Sequence, residues 1–273
     1  VAGGLGGVRA PALIPARIAW VLYGSLAQRT GGTIYDARIV DGLRARGVAV
    51  DVLSLSRAAD PSDLVRALAR SRPELVVGDE LCFRDLAFVF PRASFTRRLL
   101  LVHHLTCWEE ERKPGERAEA RFWEQAALRH ADAVVTTSWA TRGRLVAEGH
   151  RGAVDVVLPG ADRLPLVPRR AGERREVVFL FVGSIIARKR VVELVAAFAT
   201  VGAPCSLRLA GSREVDPRYA RAVEQAARER GVAERVRFLG EIDERALAEE
   251  LARADAVVMP SSLEGYGIAA TEA

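Results

Sequence analysis

Short apolar runs rich in β-branched residues recur along the chain, each followed by a stretch in which apolar positions return every three or four residues. The first pattern suits buried strands and the second amphipathic helices, so their alternation predicts βαβ units and parallel sheets covered on both faces. In the first half the strand-like runs are 18–23, 48–55, 75–77, 99–102, 133–136 and 154–158. Between the first two, Tyr35, Ile39, Val40 and Leu43 keep helical spacing, and Gly47 stands where a C-terminal cap belongs. The stretch 163–176 holds two prolines and five arginines with little periodicity, which predicts an interdomain linker. The series then restarts, with strands at 177–182, 206–210, 236–239 and 256–259. Helices between them are marked by Val191, Val195 and Phe198, by Tyr219, Val223, Ala226 and Arg230, and by Leu247 and Leu251. The pattern predicts two Rossmann-like α/β domains, 1–165 and 166–273, facing a cleft, with ligands at the carboxyl ends of the strands.

Composition agrees with that size of core: 273 residues, 49% hydrophobic and 27% charged. Forty basic against 35 acidic residues give +5, yet Arg and Glu alternate along helix-like stretches such as 224–237, the pattern of a solvated face. A nucleic-acid partner is not implied, because such binders gather charge into a patch and interleave aromatics. The pairs Arg169-Arg170 and Arg174-Arg175 leave peripheral contact with anionic lipid as an option, with a charged linker as the plainer reading. Three cysteines at irregular spacing form neither a disulfide framework nor a metal pattern. With no apolar run long enough to span a bilayer and no signal-like start, a cytoplasmic location, optionally peripheral at the inner face of the membrane, is expected.

Chemistry concentrates after the last strand, where Pro260-Ser-Ser-Leu263 leads into Glu264, Gly265, Tyr266 and Gly267 and then a helix-forming run from Ile268 to Glu272. On one continuous helix, eight residues would separate the two glutamates by roughly 12 Å of rise, too far for a side-by-side acid/base pair. With the glycines breaking the first part, Glu264 belongs to a loop and Glu272 to an early helical turn, and the amides between them form an anion cradle. Two carboxylates flanking a phosphate-sized patch suit an elongated ligand with hydroxyls at both ends, the shape of a nucleotide diphosphate sugar.

The run resembles the E-x7-E signature of glycosyltransferase family 4. Four preceding blocks resemble that family's donor domain in order and spacing: Phe181-Val-Gly-Ser-Ile-Ile-Ala-Arg-Lys189, Leu207-Arg-Leu-Ala-Gly211, Gly231-Val-Ala-Glu-Arg-Val-Arg-Phe-Leu-Gly240 and Ala254-Asp-Ala-Val-Val-Met-Pro260. The resemblance implies a GT-B fold and a retaining, metal-independent transfer of sugar from a nucleotide diphosphate sugar, with no cofactor beyond that donor. The acceptor would be a glycan, a lipid-linked molecule or a small molecule. It implies that Glu272 holds the donor ribose, Glu264 the transferred sugar, and the amides of Gly265, Tyr266, Gly267 and Ile268 the sugar and phosphate. Lys189, near the strand-end Gly183, would neutralise the diphosphate as negative charge develops on the leaving group. The family commonly carries Arg after that glycine; Ser184 stands there, and Arg188 is the candidate replacement. On the acceptor side the resemblance assigns Gly31 and Gly32, which open the first helix, and His103, which would orient a hydroxyl or share its proton. Segments 132–138 and 159–162 also resemble family stretches flanking the cleft. Relatives continue past the second glutamate with further strands and a helix, so the donor domain is expected to be incomplete.

Two other classes compete. A non-catalytic nucleotide-sugar-binding module, or an inactive fragment, would share every binding residue. An NAD-dependent enzyme would need Gly-x-Gly-x-x-Gly after a strand and an acidic residue about 20 positions on, which neither half provides. The glycines at 3–7 precede any strand and lack that context.

Overall fold

The computed structural model describes residues 14–168, 176–202 and 204–273. The N-terminal glycines, the two arginine pairs and much of the expected linker lie outside them. The chain forms two parallel sheets wrapped by helices, the α/β class expected. The first contains β1 (Arg17–Tyr23), β2 (Ala49–Leu55), β3 (Leu75–Asp79), β4 (Arg97–Val102), β5 (Ala133–Thr136) and β6 (Val154–Val156), ordered β2-β1-β3-β4-β5-β6. The second contains β7 (Val177–Val182), β8 (Cys205–Ala210), β9 (Val236–Gly240) and β10 (Ala256–Val257), ordered β10-β7-β8-β9. The runs expected to reach 158 and 259 stop earlier; Pro159 and Pro260 follow them, and a residue before proline is steered out of regular pairing.

The helices are α1 (Gly31–Ala45), α2 (Pro61–Ser71), α3 (Phe83–Val89), α4 (Pro114–His130), α5 (Trp139–Ala147), α6 (Val191–Phe198), α7 (Pro217–Glu229), α8 (Glu244–Arg253) and α9 (Ile268–Glu272). α2, α4 and α7 each open on proline, whose fixed φ and missing N–H suit a first helical position.

Period-two alternation sorts the cores. On β1, Ala19 and Val21 face Leu64, Leu68, Phe83, Leu86 and Ala127, while Ile18, Trp20 and Leu22 face Tyr35 and Val40 on the other side. On β7, Phe181 packs with Val195, Phe198 and Val223, and its neighbour Leu180 packs with Ala254 and Leu251 on the opposite face. Burying such a side chain contributes about 1.5–3 kcal/mol, so the two sheets are independently anchored.

The strand orders decide where a ligand belongs. Each sheet reverses direction of winding once, between β1 and β3 and between β7 and β10, and crevices open at such switch points beyond the carboxyl ends. The loops there are 24–30 and 79–82 in the first sheet, and 183–190 and 258–267 in the second. These carry most of the residues singled out above.

Candidate active site

β7 ends at Val182 and the chain passes through Gly183 at φ 149°, a backbone conformation that residues with side chains rarely adopt. A Cβ on Gly211 would come within 1.9 Å of the Gly183 carbonyl oxygen, so two glycines are required where β7 and β8 end. The next turn runs through residues 187–189 and closes on Arg190, a non-glycine residue held at φ 49° as α6 begins. That turn sends the Lys189 stem back over Gly183.

Lys189 Nζ donates to Glu264 Oε1 at 2.5 Å. Burial, with Arg188 close by, pulls the ammonium pKa below its usual range despite Glu264, and Glu264 is in turn held low by Lys189 and Arg188 against its own burial. The two partners thus shift in the same downward direction, as expected where two cations face one carboxylate. Arg188 Nη1 donates to Leu263 O at 2.5 Å, and the Arg188 carbonyl accepts Ser262 N at 3.0 Å, so the loops after β7 and β10 are stitched together. Its guanidinium lies 3.4 Å from Glu109 and 4.0 Å from Glu264, between the halves.

Glu264 is a loop residue and Glu272 ends the five-residue α9, as their spacing requires. Gly267, at φ 86°, makes the entry to α9. Among the described residues, the N–H groups of Gly265, Tyr266 and Gly267 donate to no carbonyl or side chain. Glu272 is paired with Arg163, Nε to Oε1 at 2.7 Å and Nη2 to Oε2 at 2.8 Å.

Facing these loops from the first sheet, His103 follows β4. Its N–H donates to Glu80 Oε2 at 2.9 Å, and its Nε2 lies 3.4 Å from Asp36 Oδ1 and 3.9 Å from Asp79 Oδ2. Burial disfavours the charged ring, but Glu80, Asp36 and Asp79 outweigh it and raise its pKa to about 9. Asp79 is itself raised well above the carboxylate range by burial and by Glu80 and Asp36. The upward shift of His103 favours the imidazolium form, with Nε2 turned into the protein and the ring beside Gly32. Asp36, Asp79 and His103 also offer three ligand atoms within 4.8 Å, an arrangement that could hold a metal ion, and His103 Nε2 and Asp36 Oδ1 are buried there without a hydrogen-bond partner.

The two sides touch. A Cβ on Gly265 would stand 2.6 Å from the His103 carbonyl oxygen, and one on Gly31 would meet Ile268 at 3.7 Å. Arg29 donates to Ile242 O at 2.7 Å, and Arg190 lies 3.6 Å from Glu111. Glu109 gathers His104, Arg112 and Arg188; burial would raise its carboxyl, but His104 and Arg112 hold it down at about 2. The fold thus brings Gly31, Gly32, His103, Gly183, Arg188, Lys189, the 264–268 loop and Glu272 to one cleft.

Asp36, Asp79, Glu80, Glu109 and Arg163 were not singled out from sequence. Asp79-Glu80 ends a strand at a switch point, a readable signal; Arg163, assigned to a linker, gave none.

Comparison with known proteins accords with this geometry. Residues 168–273 match the family described as Glycosyl transferases group 1. A D-inositol 3-phosphate glycosyltransferase of Geodermatophilus obscurus is 32% identical over 190 residues, covering 58% of this chain and 40% of the relative. The chain thus spans well under half the length of that relative. Among solved structures, a sucrose-phosphate synthase from Thermosynechococcus elongatus superposes with TM-score 0.77 at 21% identity, over 94% of this chain and 78% of that one. Anabaena HepE in complex with UDP-glucose superposes with TM-score 0.65 at 14% identity, over 90% and 74%. The fold resembles that of these solved structures, and residues 168–273 match the glycosyl transferases group 1 family model.

Proposed function

We propose that the protein transfers a sugar from a nucleotide diphosphate sugar to an acceptor hydroxyl, with retention of anomeric configuration and without a metal ion. Residues 1–165 supply the acceptor side and 166–273 the donor side. The observation that carries this reading is the meeting of Lys189, Glu264 and the undonated amides of 265–267 with His103 across one cleft. Burial disfavours the Lys189 ammonium even with Glu264 beside it, so a further anion such as an incoming diphosphate would stabilise its charge. The relative and HepE, whose names include a glycosyltransferase and UDP-glucose, point the same way.

In the reaction the bond from sugar C1 to the diphosphate oxygen breaks, the acceptor oxygen bonds C1, and the acceptor proton passes to the departing diphosphate oxygen. Lys189, with Arg188 alongside, stabilises the leaving diphosphate; removing such a group typically costs 10²–10³ in rate. Glu264 and Glu272 hold sugar and ribose hydroxyls. His103, already protonated, acts as a hydrogen-bond donor and positive charge rather than as the base.

The test is to incubate the chain with UDP-, GDP- and ADP-sugars and a panel of acceptors, following nucleotide release and product anomer by NMR, with EDTA present and with Glu264→Ala as control. Acceptor-dependent release that survives EDTA and is lost in Glu264→Ala supports the reading. Donor binding without release would make the protein a binding module, and neither would sink both.

A further inference from the structure

Ser138 caps α5 by accepting Thr141 N at 3.0 Å. In a reciprocal capping box the side chain at the third helical position returns to the N–H of the cap residue. α1 shows that arrangement: Thr30 N donates to Thr33 Oγ1 at 3.1 Å while Thr33 N donates to Thr30 Oγ1 at 3.2 Å. Thr141 holds the same position in α5 but is turned elsewhere. Its Oγ1 accepts the Ser138 hydroxyl at 2.9 Å and faces two carbonyls, His103 O at 3.0 Å and Gly265 O at 3.4 Å.

Those carbonyls come from opposite sides of the cleft, and a hydroxyl has one proton to give. Thr141 is 4% exposed, so water does not replace that proton readily. The approach it serves is unusually close, since no side chain fits between Gly265 and the His103 carbonyl. Two carbonyl oxygens brought together with no donor beside them would repel and lack their hydrogen bond.

We propose that Thr141 is a positioning residue for the transfer: its hydroxyl clasps the Gly265 carbonyl to the His103 carbonyl and sets the 264–268 loop over the acceptor-side imidazole. The inference rests on the sugar-transfer reading above and extends it to a residue that touches neither substrate. Glu264 is held by Lys189 and Leu263 O by Arg188 without the clasp, so donor affinity does not depend on it alone. Alignment with the acceptor depends on the clasp, and a misplacement of about 1 Å can cost about 10² in rate.

Thr141→Val keeps the shape and removes the hydroxyl; Thr141→Ser restores it. In the whole chain, Thr141→Val is expected to lower kcat about tenfold or more with donor Kd within about twofold, and Thr141→Ser to recover most of the loss. Unchanged kcat in Thr141→Val, a kcat loss matched by loss of donor affinity, or a Thr141→Ser variant as poor as Thr141→Val would overturn the proposal. Hydrogen exchange separates this from the functional reading. If the wild-type chain transfers no sugar, that reading fails, and the clasp is judged by the hydrogen-bonded Ser262 and Ala270 amides at either end of the loop. Exchange there about tenfold faster in Thr141→Val upholds it, and unchanged exchange defeats it.

Discussion

Arg163 grips Glu272 with two nitrogens on two oxygens, at 2.7 and 2.8 Å, and the carboxylate side chain is 3% exposed. Burial works against the guanidinium charge, but Glu272, helped by Glu244, outweighs it and raises the arginine pKa. A carboxylate has about four acceptor sites, and Arg163 orients Glu272 by donating to both of its oxygens. Removing one partner strands a buried charge, and Arg163→Met is expected to cost about 3 kcal/mol in urea unfolding. Arg163→Met with Glu272→Gln should cost less than the sum of the singles by about 1–3 kcal/mol. Additive losses would show that the two side chains do not support one another.

Glu264 competes with any phosphate for Lys189, because the ammonium donates to it at 2.5 Å. Glu264→Gln keeps the volume and removes the competing charge. A nucleoside diphosphate lacking the sugar should therefore bind Glu264→Gln about three- to tenfold tighter, whereas the intact sugar donor, deprived of a strong acceptor for its hydroxyls, should bind more weakly. Calorimetry with UDP and UDP-glucose as probes reads both signs. Weaker UDP binding in the variant would remove Lys189 from the diphosphate site.

What could be read from the sequence follows from period and punctuation. Strands such as Val177–Val182 and the capped α1 are legible through local spacing, and the glycine-broken run between Glu264 and Glu272 separates the two carboxylates in the same way. The partners of those carboxylates are not legible in this way. Arg163 reaches Glu272 across 109 residues and Glu109 reaches Arg188 across the cleft, and pairings at such separation leave no period to detect. The protonation of His103 was equally hidden, since it depends on Asp36, Asp79 and Glu80, which two different elements and a loop deliver to one ring.

Three glycines at the cleft should respond differently to alanine. At Gly31 a Cβ meets only Ile268 at 3.7 Å, an ordinary contact, and alanine is the better helix former, so Gly31→Ala should be neutral to stabilising by about 0.5 kcal/mol. At Gly32 it would press on the His103 ring at 3.3 Å, which can shift slightly. At Gly265 it would strike the His103 carbonyl at 2.6 Å, backbone that can move only if the halves part. Gly265→Ala should lower turnover about 10²-fold while Gly31→Ala keeps it within about threefold, measured as kcat with saturating donor. Equal tolerance at both positions would mean that the close approach of the two sides is not the reactive arrangement.

His103 also makes stability fall with rising pH. Its pKa goes from the ordinary 6.5 to about 9 in the fold, so the native state binds the proton more tightly than the unfolded chain. The stabilisation is complete below pH 6.5 and is lost as pH climbs through 9. Asp79, also raised, binds its proton more tightly when folded, and so its contribution has the same sign. Between pH 6.5 and 9 the unfolding free energy should drop by on the order of 2 kcal/mol from this cluster, reversing only where other groups titrate. His103→Gln removes the titrating ring and should flatten that slope, at a constant offset for the carboxylates it leaves unpaired. Urea unfolding at half-unit steps across the window tests it. A wild-type slope that survives the substitution would assign the pH dependence to other groups and would place Asp36 and Asp79 outside the proton balance of this ring.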